Sequence, residues 1–510
     1  MEENMKKCKR IRWGVFFPAW ILMIGIIALD FLNKDLFVEI INALTAWILE
    51  NFTWGFCILS FICVLVVAVT FFSPLGRMKV GGNGCKPMVS YRNYIWIILC
   101  TIMAAGIMLW ACAEPMYHIY QPPEPIKAGS EDAIRWAMNT MFLEWTFTPM
   151  CIYCIPTLLF SFVFYNMDLP FSIGSMLIPL TGGKYVKRLS PIIDSICLFS
   201  LCAGMSASLG QGVLLLSGGI EDYSSGVLKS GAMLWCICAA VIVIMFVISA
   251  STGVTRGIRV LSNVNITLYA FVGIAVFFFG PTLFILNFGV EGIGNYLNEF
   301  FRMSLFTGAS GGKSWVQSWP GFYWCNWLAW MPITGVFMGK VSKGFTFRQV
   351  IFAVVLIPAL FSMGWIVLFS GTAIFLQLQK GVVYSAMLEG GAEAATFVVL
   401  RSLPLSSVLI LVFLVVLLIS FVTAADSNTN AMSGICTVGL TADSTESPTV
   451  LKIIWGITIG GACAIMLMSF GVDGIKKMSN LAGFPNAFLM VLFIVSWSRI
   501  LKAPEKYSRV

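Results

Sequence analysis

The chain has 510 residues, of which 58% are hydrophobic and only 11% charged, with a mean hydropathy of +0.88. That balance excludes a soluble globular protein: about twelve apolar runs of membrane-spanning length recur from end to end, so an all-α polytopic membrane protein is expected. The net charge of +8 is spread along the connections and forms no nucleic-acid-binding patch.

In chain order, the runs fall at roughly 13–32, 53–73, 93–112, 140–165, 192–217, 230–251, 264–290, 318–339, 348–378, 404–425, 450–470 and 480–500. The first follows Lys6, Lys7, Lys9, Arg10 and Arg12. It is long and lacks a small-residue cleavage site, so it reads as a span and not a signal peptide. Basic clusters recur at Arg77, Lys79, Lys86 and Arg92, at Lys184, Lys187 and Arg188, at Arg256 and Arg259, and at Lys340, Lys343 and Arg348. The alternate connections are acidic or mixed, with Asp30, Asp35 and Glu39, then Glu124, Glu131 and Asp132, then Glu221 and Asp222, then Glu389 and Glu393. The positive-inside rule places both termini in the cytoplasm and makes the span count even.

The third run closes on Gly106 to Pro115 and the eighth contains Trp327-Leu-Ala-Trp330-Met-Pro332-Ile-Thr334-Gly335. Helix-weakening residues at matching depths in two halves point to discontinuous helices around a transporter's central site. Residues 1–92 then hold the N-terminus and two extra helices, 93–290 a first five-helix repeat, 291–317 an extracellular connection, 318–500 a second repeat of opposite orientation, and 501–510 a short tail. Within the connection, Ile293 to Phe306 is apolar on one side and is expected to lie along the membrane surface.

Most of the fifteen cysteines lie inside spans, where they serve as small apolar residues; Cys151-Ile-Tyr-Cys154 lacks the βαβ context of a redox motif. The single histidine, His118, has no second histidine to share a metal and reads as a helix-end residue. Gly308 to Ser314 resembles a phosphate loop but is one residue short and follows no strand. No cofactor and no metal site are indicated, and scarce histidine, with no carboxylates paired at helical spacing in the spans, disfavours a membrane enzyme.

Two features carry function. Between Trp319 and Trp330 half of the residues are aromatic, and Trp319, Tyr323, Trp327 and Trp330 share one helical face over about 16 Å. An interfacial belt accounts for one or two such rings, and a wall of π-faces suits an organic cation that cannot donate hydrogen bonds. In the fourth run Trp145 and Tyr153 are eight apart and face the same way, with Pro149 between them to bend the helix. Glu144, next to Trp145, is an ionisable residue at depth, either a counter-charge or a proton carrier.

Gly321-Phe322-Tyr323-Trp324-Cys325-Asn326-Trp327, with Lys340-Val-Ser-Lys-Gly344 and Arg348, resembles the signature of the betaine/carnitine/choline transporter family. Ala113-Glu114-Pro115, Ala207-Ser208-Leu209-Gly210, Leu261-Ser262-Asn263-Val264-Asn265 and Thr423-Ala-Ala-Asp426-Ser427 follow in the family's order. The resemblance implies a LeuT-type core of two inverted repeats, a homotrimer set in membrane lipid, and alternating access for trimethylammonium zwitterions or choline: carnitine, γ-butyrobetaine, glycine betaine or a relative. It implies an aromatic cage of Trp145, Tyr153, Phe322, Trp327 and Trp330; Tyr323, on the same helical stripe, and Gly106, in the third run's break, are further substrate-binding candidates. Met150 and Asn326 stand where the family has tryptophan, which thins the cage and adds an amide for a substrate carboxylate or hydroxyl. Ser206, Ser208, Asn265, Thr423 and Glu144 are the candidate coupling residues. Ala424 replaces a sodium-site serine, Ile102 and Ala104 replace glycines beside Gly106, and Asn265 stands where sodium-independent exchangers have arginine. Exchange is preferred, and symport with Na+ or a proton stays open, as does another amine or an amino acid as substrate. A channel remains the further alternative, separable by its non-saturating flux.

Overall fold

A computed structural model describes residues 11–102, 106–183, 186–251, 254–438 and 448–509. The basic N-terminus through Arg10, Ala104 and Lys184 lie outside these, and the side chains of Lys187, Arg256, Arg259 and Ser262 are likewise outside the description.

The first half comprises α1 (Trp13–Leu32), α2 (Lys34–Phe72), α3 (Tyr91–Ile102), α4 (Gly106–Tyr120), α5 (Glu131–Trp145), α6 (Phe147–Ser161), α7 (Ile178–Thr181), α8 (Val186–Tyr223), α9 (Ala232–Ser251) and α10 (Val254–Phe279). Then come α11 (Thr282–Ser304), α12 (Lys313–Ser318), α13 (Pro320–Val341), α14 (Phe347–Ile351), α15 (Ile357–Lys380), α16 (Val382–Gly390) and α17 (Ala394–Arg401). The last are α18 (Ser406–Ile435), α19 (Thr449–Phe470), α20 (Val472–Lys502) and α21 (Pro504–Tyr507). Among the described residues, nine helices or helix runs are long and apolar enough to cross a membrane, and two bent pairs, α3 with α4 and α10 with α11, raise the number to eleven. The run that brings the number to twelve is the eighth, α13, whose Trp, Tyr and Asn residues lower its hydropathy.

Exposed Ile, Leu, Val and Phe side chains crowd α1, α2, α9 and α10, as expected of a lipid-facing shell. Inside it, α13 is almost wholly buried. It packs on α6, α8 and α20. Small residues permit the approach: a side chain on Gly483 of α20 would fall 2.0 Å from the Cys325 carbonyl oxygen, and one on Gly335 would strike Pro156 of α6.

The expected break at Pro332 is not present; α13 runs through it unbroken. Proline removes the N–H that would pair with the carbonyl four residues earlier, that of Leu328. Asn486 of α20 supplies the missing donor, its Nδ2 lying 2.9 Å from that oxygen. The fourth run does break, at Thr146 between α5 and α6, where φ is −113° and ψ −113°. Trp145 is the residue whose carbonyl the Pro149 ring would meet in a continuous helix. The α3–α4 pair bends by 55°, and α11 turns 107° from the end of α10, so the helix that holds Ile293 begins at Thr282, earlier than the sequence indicated.

Two basic connections meet at one end of the bundle. Val80 N donates to Phe345 O at 3.0 Å, Gly344 N to Val80 O at 2.9 Å, and Arg348 Nε to Phe71 O at 2.7 Å.

Candidate functional site

A small internal space of ≈ 30 Å³ lies where the α3–α4 break, the α5–α6 break, α8 and α13 converge. Its walls are Thr101, Ile102, Gly106, Ile107, Trp110, Trp145, Tyr153, Ser208, Gln211, Tyr323, Asn326, Trp327 and Trp330. Seven of the nine residues expected to contact substrate are therefore here; Phe322 and Met150 are buried but do not line the space. Trp319 also leaves the wall, although it belongs to the same helical stripe. Its backbone (φ −120°, ψ −78°) lies between α12 and α13, not within the helix.

The rings are held edge to face. Trp327 lies 5.5 Å from Trp145 at 90° and 5.7 Å from Tyr153 at 87°; Trp145 lies 5.3 Å from Tyr323 at 69°. Each such pair is worth about 0.5–1.5 kcal/mol beyond its burial. Two close approaches set the walls. A Cβ on Gly106 would stand 2.8 Å from Gln211 Oε1 and 3.1 Å from Trp145 Cη2, and one on Gly204 of α8 would stand 3.0 Å from Trp330 Nε1. A space of this size admits a water or two. A trimethylammonium group enters only after the rings separate, because the space between the described walls is too small for it.

Asn326 lines the space and its Oδ1 accepts from Ser479 Oγ of α20 at 3.1 Å. The helix–helix hydrogen bond therefore uses the oxygen and leaves the NH2 group as the donor on offer. Of the residues expected to govern coupling, Ser208 lines the space. Ser206 bonds back to the Cys202 carbonyl, and Thr423 to those of Ile419 and Ser420. Asn265 pairs with Ser420, which reaches Tyr269. The structure does not gather these into one centre.

The sequence did not mark the polar cluster directly behind the rings. Glu114 of α4, His118 one turn on, and Glu144 at the end of α5 are all fully buried, with polar atoms within 4.8 Å of one another. Glu114 Oε1 lies 3.3 Å from His118 Nε2; its Oε2 accepts from Trp145 Nε1 at 3.1 Å and from the Tyr323 hydroxyl. Trp327 Nε1 donates to the Glu144 carbonyl at 3.0 Å. His118 stands in the last turn of α4, as expected of a helix-end residue, and is buried there against Trp319 at 4.5 Å. Carboxylates thirty residues apart in sequence are paired across α4 and α5, which a search for helical spacing within one span could not find. The Ala113-Glu114-Pro115 motif was the available signal.

Further out, the molecule supplies its own cation. Lys476 Nζ of α20 sits 3.7 Å from the Trp319 ring centre, 5.4 Å from Phe322 and 5.6 Å from Trp110, and donates to Ser318 O at 3.3 Å. Two of these three rings, Trp319 and Phe322, do not line the inner space, and Trp110 does. A larger hollow of ≈ 550 Å³ lies near the ends of α8 and α15 and is lined by Glu221, Asp222, Lys380, Glu393 and Arg401.

The sequence model of a family described as "BCCT, betaine/carnitine/choline family transporter" matches residues 14–506. An ectoine/hydroxyectoine transporter of Virgibacillus pantothenticus is 30% identical over 89% of this chain and 90% of its own length. The glycine betaine transporter OpuD of Bacillus subtilis is 28% identical over 96% and 94%. The high-affinity choline transport protein of Escherichia coli is 27% identical over 97% of this chain and 72% of its own. A solved Na+-coupled sialic acid symporter overlays 88% of this chain and 86% of that one at 11% identity, with a TM-score of 0.48, too low to argue from.

Proposed function

We propose that this chain, which belongs to the betaine/carnitine/choline transporter family, carries small betaine-like zwitterions or choline across the cytoplasmic membrane, through the space walled by Trp145, Tyr153, Tyr323, Trp327 and Trp330. The observation that carries the reading is this set of rings drawn from α5, α6 and α13 onto one small space. Their π-faces attract a quaternary ammonium group at about 0.5–2 kcal/mol per ring, and several rings together give useful affinity. Transport is by alternating access: the ≈ 30 Å³ space opens toward one side and then the other as the helices around it move. The two halves of five helices rock around this point. Both termini are cytoplasmic, and the meeting of the 78–80 and 344–348 basic connections at one end supports that orientation. The assembly is a homotrimer, to which the apolar outer residues Leu283, Leu286, Val290, Leu297 and Phe301 of α11 are suited.

The polar handle at Asn326 favours a second substrate within the same mechanism, a zwitterion without methyl groups on nitrogen, such as ectoine. The amide donor faces a substrate carboxylate where a full cage would present another ring. The test is counterflow in proteoliposomes loaded in turn with glycine betaine, carnitine, γ-butyrobetaine, choline and ectoine. Saturable exchange with at least one is expected; no exchange with any of the five rejects the proposal.

A further inference from the structure

The three hydrogen bonds that tie the ring walls to the two glutamates have a consequence for coupling. Glu114 is satisfied three times over, by Trp145, Tyr323 and His118. Glu144 is the opposite case. It is fully buried, and among the described residues no hydrogen-bond donor reaches either carboxylate oxygen. The charged form of a carboxylate is stabilised by donors, and an ionised one without any is among the costliest groups to bury. Of the two, Glu144 is therefore the one left to carry a proton. The group facing Glu144 is the Glu114 carboxylate, to which a protonated Glu144 can donate. The other ionisable groups around the pair are His118 on α4, Tyr323 on α13, Cys57 on α2 and Lys476 on α20, with Asp473 acting on Lys476. Lys476 is engaged by the Trp319 ring and the Ser318 carbonyl, so it does not replace the missing donor.

We propose that Glu114 and Glu144 share one exchangeable proton and that this proton is a coupling ion of the transport cycle. It binds a Glu144 carboxylate oxygen from the outer side and leaves from the same oxygen to the inner side, one O–H bond formed and broken per turnover. Its presence is felt at the substrate because the walls hang on the pair: Trp145 and Tyr323 on the Glu114 side chain, Trp327 on the Glu144 backbone. With Glu144 protonated, the pair has one charge and Glu114 holds both rings in place. Loss of the proton puts two negative charges side by side, and their repulsion moves the carboxylates and the rings bonded to them. The inference rests on the transport reading and adds the coupling ion that the sequence left open.

The test uses full-length protein in proteoliposomes with labelled glycine betaine, choline or ectoine. Without Na+, an inward proton gradient of about one pH unit is expected to drive up to about tenfold accumulation at one proton per substrate, sensitive to a protonophore. Glu144→Gln is expected to lose that accumulation and keep counterflow, which separates coupling from folding. Accumulation driven by a Na+ gradient and indifferent to the proton gradient overturns the proposal, as does a Glu144→Gln variant that still accumulates. A readout independent of substrate is the infrared carbonyl stretch of a buried protonated carboxyl. A Glu144-dependent component of that band is expected in the wild type at neutral pH and is expected to be lost in Glu144→Gln, while other buried carboxyls such as Glu393 keep theirs. If the two proteins show the same band, the proton site is wrong whatever the substrate; if the Glu144-dependent component is present but no probe undergoes counterflow, the substrate reading fails and the proton site stands. Should Glu144→Gln not fold, the wild-type gradient measurements decide the matter alone.

Discussion

Replacing Trp327 with leucine asks whether the ring wall recognises charge or merely fills space. The indole touches Trp145 and Tyr153 edge-on and donates to the Glu144 carbonyl, so it is built into the wall by both ring contact and hydrogen bond. Leucine keeps much of the apolar contact and removes the π-face. Losing one cation–π contact of about 0.5–2 kcal/mol weakens binding of a trimethylammonium substrate by roughly 2- to 30-fold. The informative comparison is between glycine betaine and tert-butylacetate, in which a neutral carbon replaces the charged nitrogen. Both are titrated against purified wild type and Trp327→Leu, with gel filtration confirming that the variant is folded. The loss is expected for the cation and should be several-fold smaller for its neutral isostere. Equal losses for the two would refute the reasoning, since the ring would then act by packing alone.

Gly106→Ala places a methyl group 2.8 Å from Gln211 Oε1 and 3.1 Å from Trp145 Cη2. Overpacking of about 1–3 kcal/mol is expected, read as a roughly tenfold weaker apparent substrate affinity in uptake assays with expression retained. Asn326→Ala should weaken glycine betaine more than choline, by about tenfold in the ratio of their affinities, because only the former offers a carboxylate to the amide. Unchanged competition by every substrate would end the amide's assigned role. Glu393, at the N-cap of α17, is only 8% exposed, and burial with nearby Glu221 raises its carboxyl from 4.5 to about 7. The folded protein thus keeps a proton that the unfolded chain has released. Stability from this group is present below pH 4.5, falls as pH rises, and is lost by about 7, a total of about 3 kcal/mol. Glu393→Gln should flatten the thermal-unfolding midpoint between pH 5 and 7.5 and raise it at the upper end; parallel curves for the two proteins would contradict this.

Some of this was legible in the chain because it depends on local spacing. Span positions follow from apolar length, and the helices over 13–32 and 449–470 begin and end within about a residue of where hydropathy places them. The rings at Tyr323, Trp327 and Trp330 share a wall because a helix repeats every 3.6 residues. Trp319 departs from it because the helix starts at Pro320, a boundary that periodicity locates poorly. Motif order likewise marked the family, since motifs are strings.

What the sequence could not decide depends on partners far away along the chain. Pro332 looked like a break and is not one, because Asn486, more than 150 residues later, supplies the donor that proline lacks. Glu144 could be marked as an ionisable residue at depth, but its pairing with Glu114, and the lack of any donor to it among the described residues, exist only once α4 and α5 pack. The same holds for Lys476, an apparently ordinary basic residue near a helix start that tertiary packing lays on Trp319. Local periodicity therefore determined which residues are helical and which face is aromatic. The three-dimensional arrangement decided which buried polar groups are satisfied and which are left needing a proton.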